Sequence, residues 1–174
     1  RTIQGRFLLK PSQQLNKLIL GALGRALHMN PGMRIYGIKV MSNHIHILLS
    51  APDHQTLSEF MTHFAGNVAR IAGDHYGWRD RFWARRYTAL AVEDRGSLIK
   101  SVRYLIVNCC KEGLVSSPLE WPGVGSERAL AFGEKLEGTW YDNTAMGKAR
   151  RKGRKVNPED FATKYEIPLH PIPP

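Results

Sequence analysis

Apolar positions recur with helical spacing in three stretches of the chain and with strand-like spacing in four. The helical period predicts helices over about residues 11–28, 57–76 and 96–112. Short runs rich in β-branched and apolar residues predict strands over about 2–9, 33–40, 44–50 and 87–92. The short connection "MSN" joins the second strand to the third, so these two are expected to pair as an antiparallel hairpin.

The order of these elements indicates the fold class. A strand, a helix, two strands, a helix, a strand and a helix predict an α+β protein with a ferredoxin-like antiparallel sheet covered by helices on one face. This unit is assigned to residues 1–133. Periodic apolar positions then become sparse, and the sequence ends in "IPLHPIPP". Residues 134–174 are therefore predicted to form an extended, basic C-terminal tail.

Composition narrows the class of partner. Lys and Arg number 25 against 15 Asp and Glu, a net charge of +10, which makes a nucleic acid the first candidate partner. No run approaches the roughly 18 apolar residues of a membrane span. The two cysteines, Cys109 and Cys110, are adjacent and so form no CxxC pair. This usage favours a reducing compartment, the bacterial cytoplasm or nucleoid.

The third predicted strand carries two histidines in "SNHIHILLS", residues 42–50. Side chains alternate along a strand, so His44 and His46 share one face, and together they could bind a metal ion. The alternative is two half-exposed histidines on a solvated sheet face. Leu48 occupies the next position on that face, which excludes the third alternating histidine of a histidine-triad hydrolase.

The last predicted helix carries a second pair of polar residues. Its apolar stripe, which is expected to face the sheet, consists of Leu98, Val102, Leu105, Ile106 and Cys109. Tyr104 and Asn108 lie one turn apart on another face. They could be ordinary surface residues. Beside the histidines, however, the amide of Asn108 would complete a metal site, and Tyr104 would be placed to attack a phosphodiester.

Three segments in this order resemble the single-tyrosine HUH transposases. "SNHIHILLS" is similar to their His–hydrophobic–His motif, and "SVRYLIVNCCKEGLVSSPLEWPGVGS" is similar to their tyrosine helix and the stretch that follows it. "FWARRYTALAVED" resembles the segment between the two. The likeness spans about residues 2–126. It is strongest to the REP-associated tyrosine transposases, relatives of insertion-sequence transposases that move as single-stranded DNA.

The resemblance implies a reaction and its residues. His44, His46 and Asn108 would bind Mg²⁺ or Mn²⁺. Tyr104 would nick single-stranded DNA through a covalent 5′-phosphotyrosine, followed by strand transfer at hairpin or repeat elements. The chain departs from the family at Cys109, where proline is common, so the helix is expected to continue. The alternative is a domesticated module that binds hairpin DNA without turnover.

The expected DNA contacts are arginines interleaved with aromatic residues, and a later basic run. They are Arg79, Arg81, Trp83, Arg85, Arg86, Lys111, Lys148, Arg150, Arg151, Lys152, Arg154 and Lys155. Trp83 fits a role in the core equally well. The long C-terminal segment could block a dimer surface, which favours a monomer over a homodimer.

Overall fold

A computed structural model describes residues 1–172 of the chain. Its helices and strands, in chain order, are α1 (Gln13–Met29), β1 (Arg34–Val40), β2 (Ile45–Ser50), α2 (His54–Tyr76), α3 (Arg95–Lys111), α4 (Glu127–Phe132), β3 (Leu136–Tyr141), α5 (Asn143–Arg151) and β4 (Ala162–Ile167). The three predicted helices and the predicted hairpin are confirmed as α1, α2, α3 and β1–β2. Within the described residues, none of the helices has the length and hydropathy of a bilayer-spanning segment.

Side-chain caps set where the helices begin. Ser12 caps α1 by accepting a hydrogen bond from the Leu15 amide, 3.1 Å away. Asp53 caps α2 by accepting from the Thr56 amide at 2.7 Å, so this helix begins earlier than the sequence pattern predicts. Asp94 caps α3 in the same way, and α3 continues past Cys109 as expected for a helix without proline there.

The β1–β2 hairpin separates the main core from a smaller packed face. Lys39 pairs with His46 and Val40 pairs with Ile45, so neighbouring pairs point to opposite faces. On one face, Ile38 and Val40 join apolar side chains of α1 and α2 in the main core. On the other face α3 packs, with Leu105 lying over Gly37.

The sheet is smaller than predicted, and helices cover both of its faces. The described residues form two separate two-stranded antiparallel sheets, β1–β2 and β3–β4, so the four-stranded ferredoxin-like sheet does not form among them. Residues 2–9 form no extended strand, because Gln4 and Gly5 both adopt positive φ within a short turn at Ile3–Gly5. Residues 87–92 form no strand, and Leu90 is 85% exposed.

Irregular chain covers the outer edge of β1, which leaves no room there for another strand. The Val40 amide donates to the Val124 carbonyl at 2.9 Å, and the His170 amide donates to the Ile35 carbonyl at 2.8 Å. Between them, the hydroxyl of Ser126 accepts from the Ile38 amide at 2.7 Å and donates to its carbonyl. A covered edge is protected from pairing with a further chain.

The C-terminal segment is folded rather than extended, which corrects the predicted tail. Within residues 134–172, β3 and β4 pair in register and pack on α1. Gly21 of α1 meets the backbone of Thr139, and Gly24 meets the side chain of Tyr165. The division of the chain at residue 133 stays a prediction. Pro173 and Pro174, at the end of the predicted tail, lie outside the described residues.

Gly21→Ala is expected to loosen the C-terminal strands. A Cβ at this position would collide with the Thr139 backbone, which cannot yield as a flexible side chain would. The free energy of unfolding in urea should fall by about 1–3 kcal/mol. Gly66→Ala in α2 is the matched control, because a Cβ there meets no atom within 4 Å. It should be neutral or stabilising by up to about 1 kcal/mol, and an equal loss in both variants would contradict this packing.

Candidate active site

The two histidines of "SNHIHILLS" lie side by side on the α3 face of the hairpin. His44 immediately precedes β2 and is buried, and His46 lies within the strand. Their ring centroids are 4.8 Å apart, with the rings nearly perpendicular. The two side chains therefore point the same way, as strand alternation predicts.

Helix α3 brings Tyr104 to this pair. The Tyr104 and His46 ring centroids are 5.2 Å apart, again edge to face. Tyr104 remains 40% exposed, so a large substrate can reach it. Leu105 and Cys109, two residues of the predicted stripe, are buried beside it. The helix is therefore oriented by its apolar stripe, and the tyrosine follows from that orientation.

Asn108 lies one turn further along α3 and is fully buried. Its amide oxygen and nitrogen both lack hydrogen-bond partners among the described residues, as does Nε2 of His46. Buried polar atoms are rarely left unpaired, so these groups call for an additional partner. Imidazole nitrogen and amide oxygen are suitable ligands for a divalent cation such as Mn²⁺, and the residues thus fit the metal that the sequence predicts.

The donor set is unusual among metal sites. Within residues 1–172, no cluster of three or more His, Cys, Asp or Glu side chains is placed to bind a metal. A metal held by His44 and His46 would depend on the Asn108 amide for a third protein ligand. It would keep positions open for phosphate oxygens and water, as catalytic rather than structural metal sites do.

Lys39 of β1 contacts both α4 and α3 from a buried position on the hairpin. Lys39 has no exposed surface, and its Nζ lies 2.6 Å from Oε1 of Glu127 and donates to Sγ of Cys109 at 3.3 Å. Lys39 is the cross-strand neighbour of His46, and Cys109 follows Asn108 directly. Lys39, on the strand next to the histidine strand, is therefore joined to α4 through Glu127 and to the tyrosine helix through Cys109. The one sequence signal for these contacts is a lysine within the otherwise apolar run of β1.

Burial keeps the two imidazoles neutral at physiological pH. Desolvation, with smaller contributions from His46 and Arg1, lowers the pKa of His44 to about 4. Desolvation followed by Arg1 also lowers the pKa of His46. A neutral imidazole has a free lone pair, which is the form that binds a metal.

The same shifts predict an acid-sensitive fold. A histidine whose pKa lies below its unfolded value of about 6.5 binds fewer protons when folded. The stability of the metal-free protein should therefore decrease as the pH falls from 6.5 towards 4. Melting temperatures over this range test it, and His44→Gln should flatten the slope. Identical slopes in the variant and the wild type would contradict the role of His44.

Some of the predicted DNA-contacting cations have protein partners in the structure, and others are free of them among the described residues. Lys111 places its Nζ 5.4 Å from the centroid of the Tyr104 ring, so a cation lies beside the tyrosine. Arg79 and Arg85 are exposed, although Arg79 pairs with Asp74. Arg81 donates from Nε and Nη2 to the backbone carbonyls of Trp83 and Ala84, and Arg86 donates to Ser58.

The contacts of Trp83 favour a packing role in the core, which the sequence allowed as an alternative to DNA contact. Its indole Nε1 donates to the Ala65 carbonyl at 2.9 Å, and its ring lies 4.8 Å from that of Phe82. The side chain is only partly exposed. It therefore braces the arginine-bearing segment against α2, and any contact with a base would use the remaining exposed part.

The later basic run forms a separate surface. Its six cations are all exposed, on α5 and the turn that follows it: Lys148, Arg150, Arg151, Lys152, Arg154 and Lys155. Several of them line a concavity beside Phe161. Because β3 and β4 pack on α1 while α3 packs on the opposite face of the hairpin, this basic surface and Tyr104 belong to different layers of the molecule.

Comparisons with known proteins agree on one family. The family described as "Transposase IS200 like" matches residues 13–108, which is more than half of the chain and includes His44, His46, Tyr104 and Asn108. The fold is similar to that of a REP-associated tyrosine transposase bound to a REP hairpin, with a TM-score of 0.55 and 19% identity. That match covers 75% of this chain and 74% of the other. No curated protein sequence matches the chain.

Proposed function

Since the chain belongs to the IS200-like transposase family, we propose that it nicks single-stranded DNA and transfers the strand through a covalent bond to Tyr104. One observation carries the proposal. The exposed Tyr104 ring packs against His46, and His46 and the next helical turn at Asn108 hold buried polar atoms without partners. The nucleophile would thus lie next to a divalent-metal site, on a surface that a DNA strand can reach.

His44, His46 and Asn108 are proposed to hold Mg²⁺ or Mn²⁺. When bound, such an ion polarises the phosphodiester and stabilises the charge that builds up on its oxygens. The two neutral imidazoles are ready to bind without first losing a proton. Cys109 and Cys110 are both free thiols, and Cys109 is engaged by Lys39, so neither belongs to the proposed ligand set.

Tyr104 carries out the covalent step. Its phenol oxygen attacks the phosphorus, the bond from phosphorus to the 3′ oxygen breaks, and the departing oxygen takes a proton to become a 3′-OH. The phenol gives up its proton to solvent in the same step, solvent returns a proton to the departing 3′ oxygen, and Lys111 places a cation beside the tyrosine ring. Attack by a 3′-OH on the phosphotyrosine reverses the step, which transfers the strand without an external energy source.

Hairpin-bearing single-stranded DNA is the proposed partner. The solved transposase of similar fold is bound to a REP hairpin, and this chain has a net charge of +10. Lys111 beside Tyr104, the exposed Arg79 and Arg85, and the basic surface around α5 would neutralise phosphates. Because two different layers carry these cations, we propose that stem and single strand contact separate surfaces.

We further propose that the protein acts as a monomer. The outer edge of β1 is covered by residues 124–126 and 169–170, so a second copy finds no free strand edge there. Sedimentation at micromolar concentration tests this point directly. A stable dimer would contradict it without affecting the proposed chemistry.

Cleavage of an oligonucleotide hairpin with single-stranded flanks tests the function. The protein should cut the flank in Mn²⁺ or Mg²⁺ and leave it intact in EDTA, as seen on a denaturing gel. A gel shift under both conditions should show that binding persists without metal. Binding without cleavage in either metal would instead establish the alternative, a hairpin-binding module without turnover.

A further inference from the structure

We propose that Asn43 is a positioning residue, which fixes the tautomer and direction of His44 so that its Nε2 is presented to the metal. Asn43 lies in the short connection between β1 and β2. This inference rests on the proposed function, since it assigns a role within the same metal site. Asn43 is neither one of the proposed metal ligands nor one of the proposed DNA contacts.

The hydrogen bonds of the Asn43 side chain determine its orientation. Its Nδ2 donates to the Gly5 carbonyl at 3.1 Å, which is an acceptor only. Its Oδ1 then lies 2.6 Å from Nδ1 of His44. An amide oxygen accepts and cannot donate, so the imidazole must carry its hydrogen on Nδ1. The lone pair is therefore on Nε2, the nitrogen left for a metal.

The N-terminal turn holds Asn43 in place. The Thr2 amide donates to the Asn43 backbone carbonyl at 2.8 Å, and the Thr2 hydroxyl donates to the Arg6 carbonyl at 2.6 Å. Gln4 and Gly5 take left-handed conformations in succession, with φ of 50° and 67°. This unusual pair of residues shapes the turn that carries the Gly5 carbonyl to Asn43.

Partners of this kind are known to tune metal sites. A ligating histidine is commonly oriented by a hydrogen bond from its other ring nitrogen, and removing that partner weakens metal binding by about 10- to 100-fold. Asn43 meets the geometric requirement without an intervening group. The simpler alternative is that Asn43 only stabilises the connection between the strands. That interpretation predicts no change in the His44 tautomer.

The tautomer can be measured without any metal. Nitrogen-15 NMR of the histidine rings at pH 7 should show His44 as the Nδ1–H tautomer in the wild type. Asn43→Ala should shift it towards a mixture or towards Nε2–H, whereas Asn43→Asp keeps an acceptor and should preserve Nδ1–H. An Nε2–H tautomer in the wild type, or an unchanged tautomer in Asn43→Ala, would overturn the proposal.

Mn²⁺ titration followed by electron paramagnetic resonance gives the second readout. Asn43→Ala should weaken Mn²⁺ binding about 10- to 100-fold, with Asn43→Asp much closer to the wild type. Thr2→Val is the structural control, because it removes the hydroxyl bonds to the Arg6 and Asn43 carbonyls but keeps the Thr2 amide bond to Asn43 and both side-chain bonds of Asn43, so it should weaken binding much less. Equal weakening in Thr2→Val and Asn43→Ala would overturn the positioning role.

The two proposals can fail separately. If the wild-type protein bound no Mn²⁺ at all, the metal site of the proposed function would be wrong. The NMR experiment would still decide whether Asn43 sets the tautomer of His44. If Mn²⁺ bound normally to Asn43→Ala, only the role of Asn43 would fall.

Discussion

Tyr104→Phe is expected to abolish the covalent protein–DNA adduct and to reduce strand cleavage by at least about 10³-fold. The variant keeps the ring that packs against His46 and removes only the oxygen that attacks phosphorus. A missing nucleophile cannot be replaced by better binding, so the loss should fall on the rate of cleavage and leave hairpin affinity intact. Denaturing gels that resolve free DNA from DNA bound covalently to protein measure both quantities.

Tyr76→Phe is the matched control for this experiment. The Tyr76 hydroxyl also lies at the surface and donates to the Lys10 carbonyl at 2.7 Å, away from the histidine pair. Its loss should leave adduct formation unchanged. Persistence of the adduct in Tyr104→Phe would show that another residue is the nucleophile.

His46→Ala is expected to have the second largest effect, a loss of Mn²⁺ binding together with cleavage. His46 lies between His44 and Tyr104, with ring contacts to both. A bound metal supplies several kcal/mol of transition-state stabilisation, which corresponds to about 10³-fold or more in rate. Isothermal titration with Mn²⁺ and cleavage under single-turnover conditions should both report the loss.

Hairpin binding should survive in His46→Ala, because the proposed DNA contacts lie on other side chains. His54→Ala is a suitable control, since His54 is exposed at the start of α2 and pairs with no other proposed ligand. Cleavage by His46→Ala at the wild-type rate would remove His46 from the site. A loss of hairpin affinity would mean that His46 contacts DNA directly.

Much of the site follows from local periodicity. Strand alternation places His44 and His46 together, and the helical repeat places Tyr104 and Asn108 one turn apart. Both relations involve residues fewer than five positions apart, so they do not depend on how the rest of the chain folds. The predicted stripe is right at Leu105 and Cys109, but the buried side of α3 also includes Asn108, which the pattern places on another face.

The face that α3 covers depends on long-range contacts, and the sequence pattern gives no information about it. Lys39 and Glu127 are distant in sequence, yet their ion pair joins β1 to α4, and the Lys39 contact with Cys109 joins β1 to α3 on the histidine face. Removing one partner of such a pair would leave a buried charge uncompensated. Neither residue forms a recognisable motif, which is why this support was missed.

The strands predicted over residues 2–9 and 87–92 are absent from the structure, and long-range contacts again explain much of the difference. Residues 87–92 have strand-forming composition, but β-propensity is realised only where a sheet edge is available. The edge of β1 is instead occupied by Val124, Ser126 and the chain around His170. The pairing of β3 with β4 was missed because its strands are short and half exposed, with weak apolar alternation.

The position of a label on a cleaved strand tests the central claim most directly. A hairpin oligonucleotide with a single-stranded flank is labelled at its 5′ end in one sample and at its 3′ end in another, then incubated with protein and Mn²⁺. Attack by Tyr104 with release of a 3′-OH predicts that only the 3′ label becomes covalently attached, on a peptide that contains Tyr104. Attachment of the 5′ label, or of the 3′ label to a different residue, would contradict it.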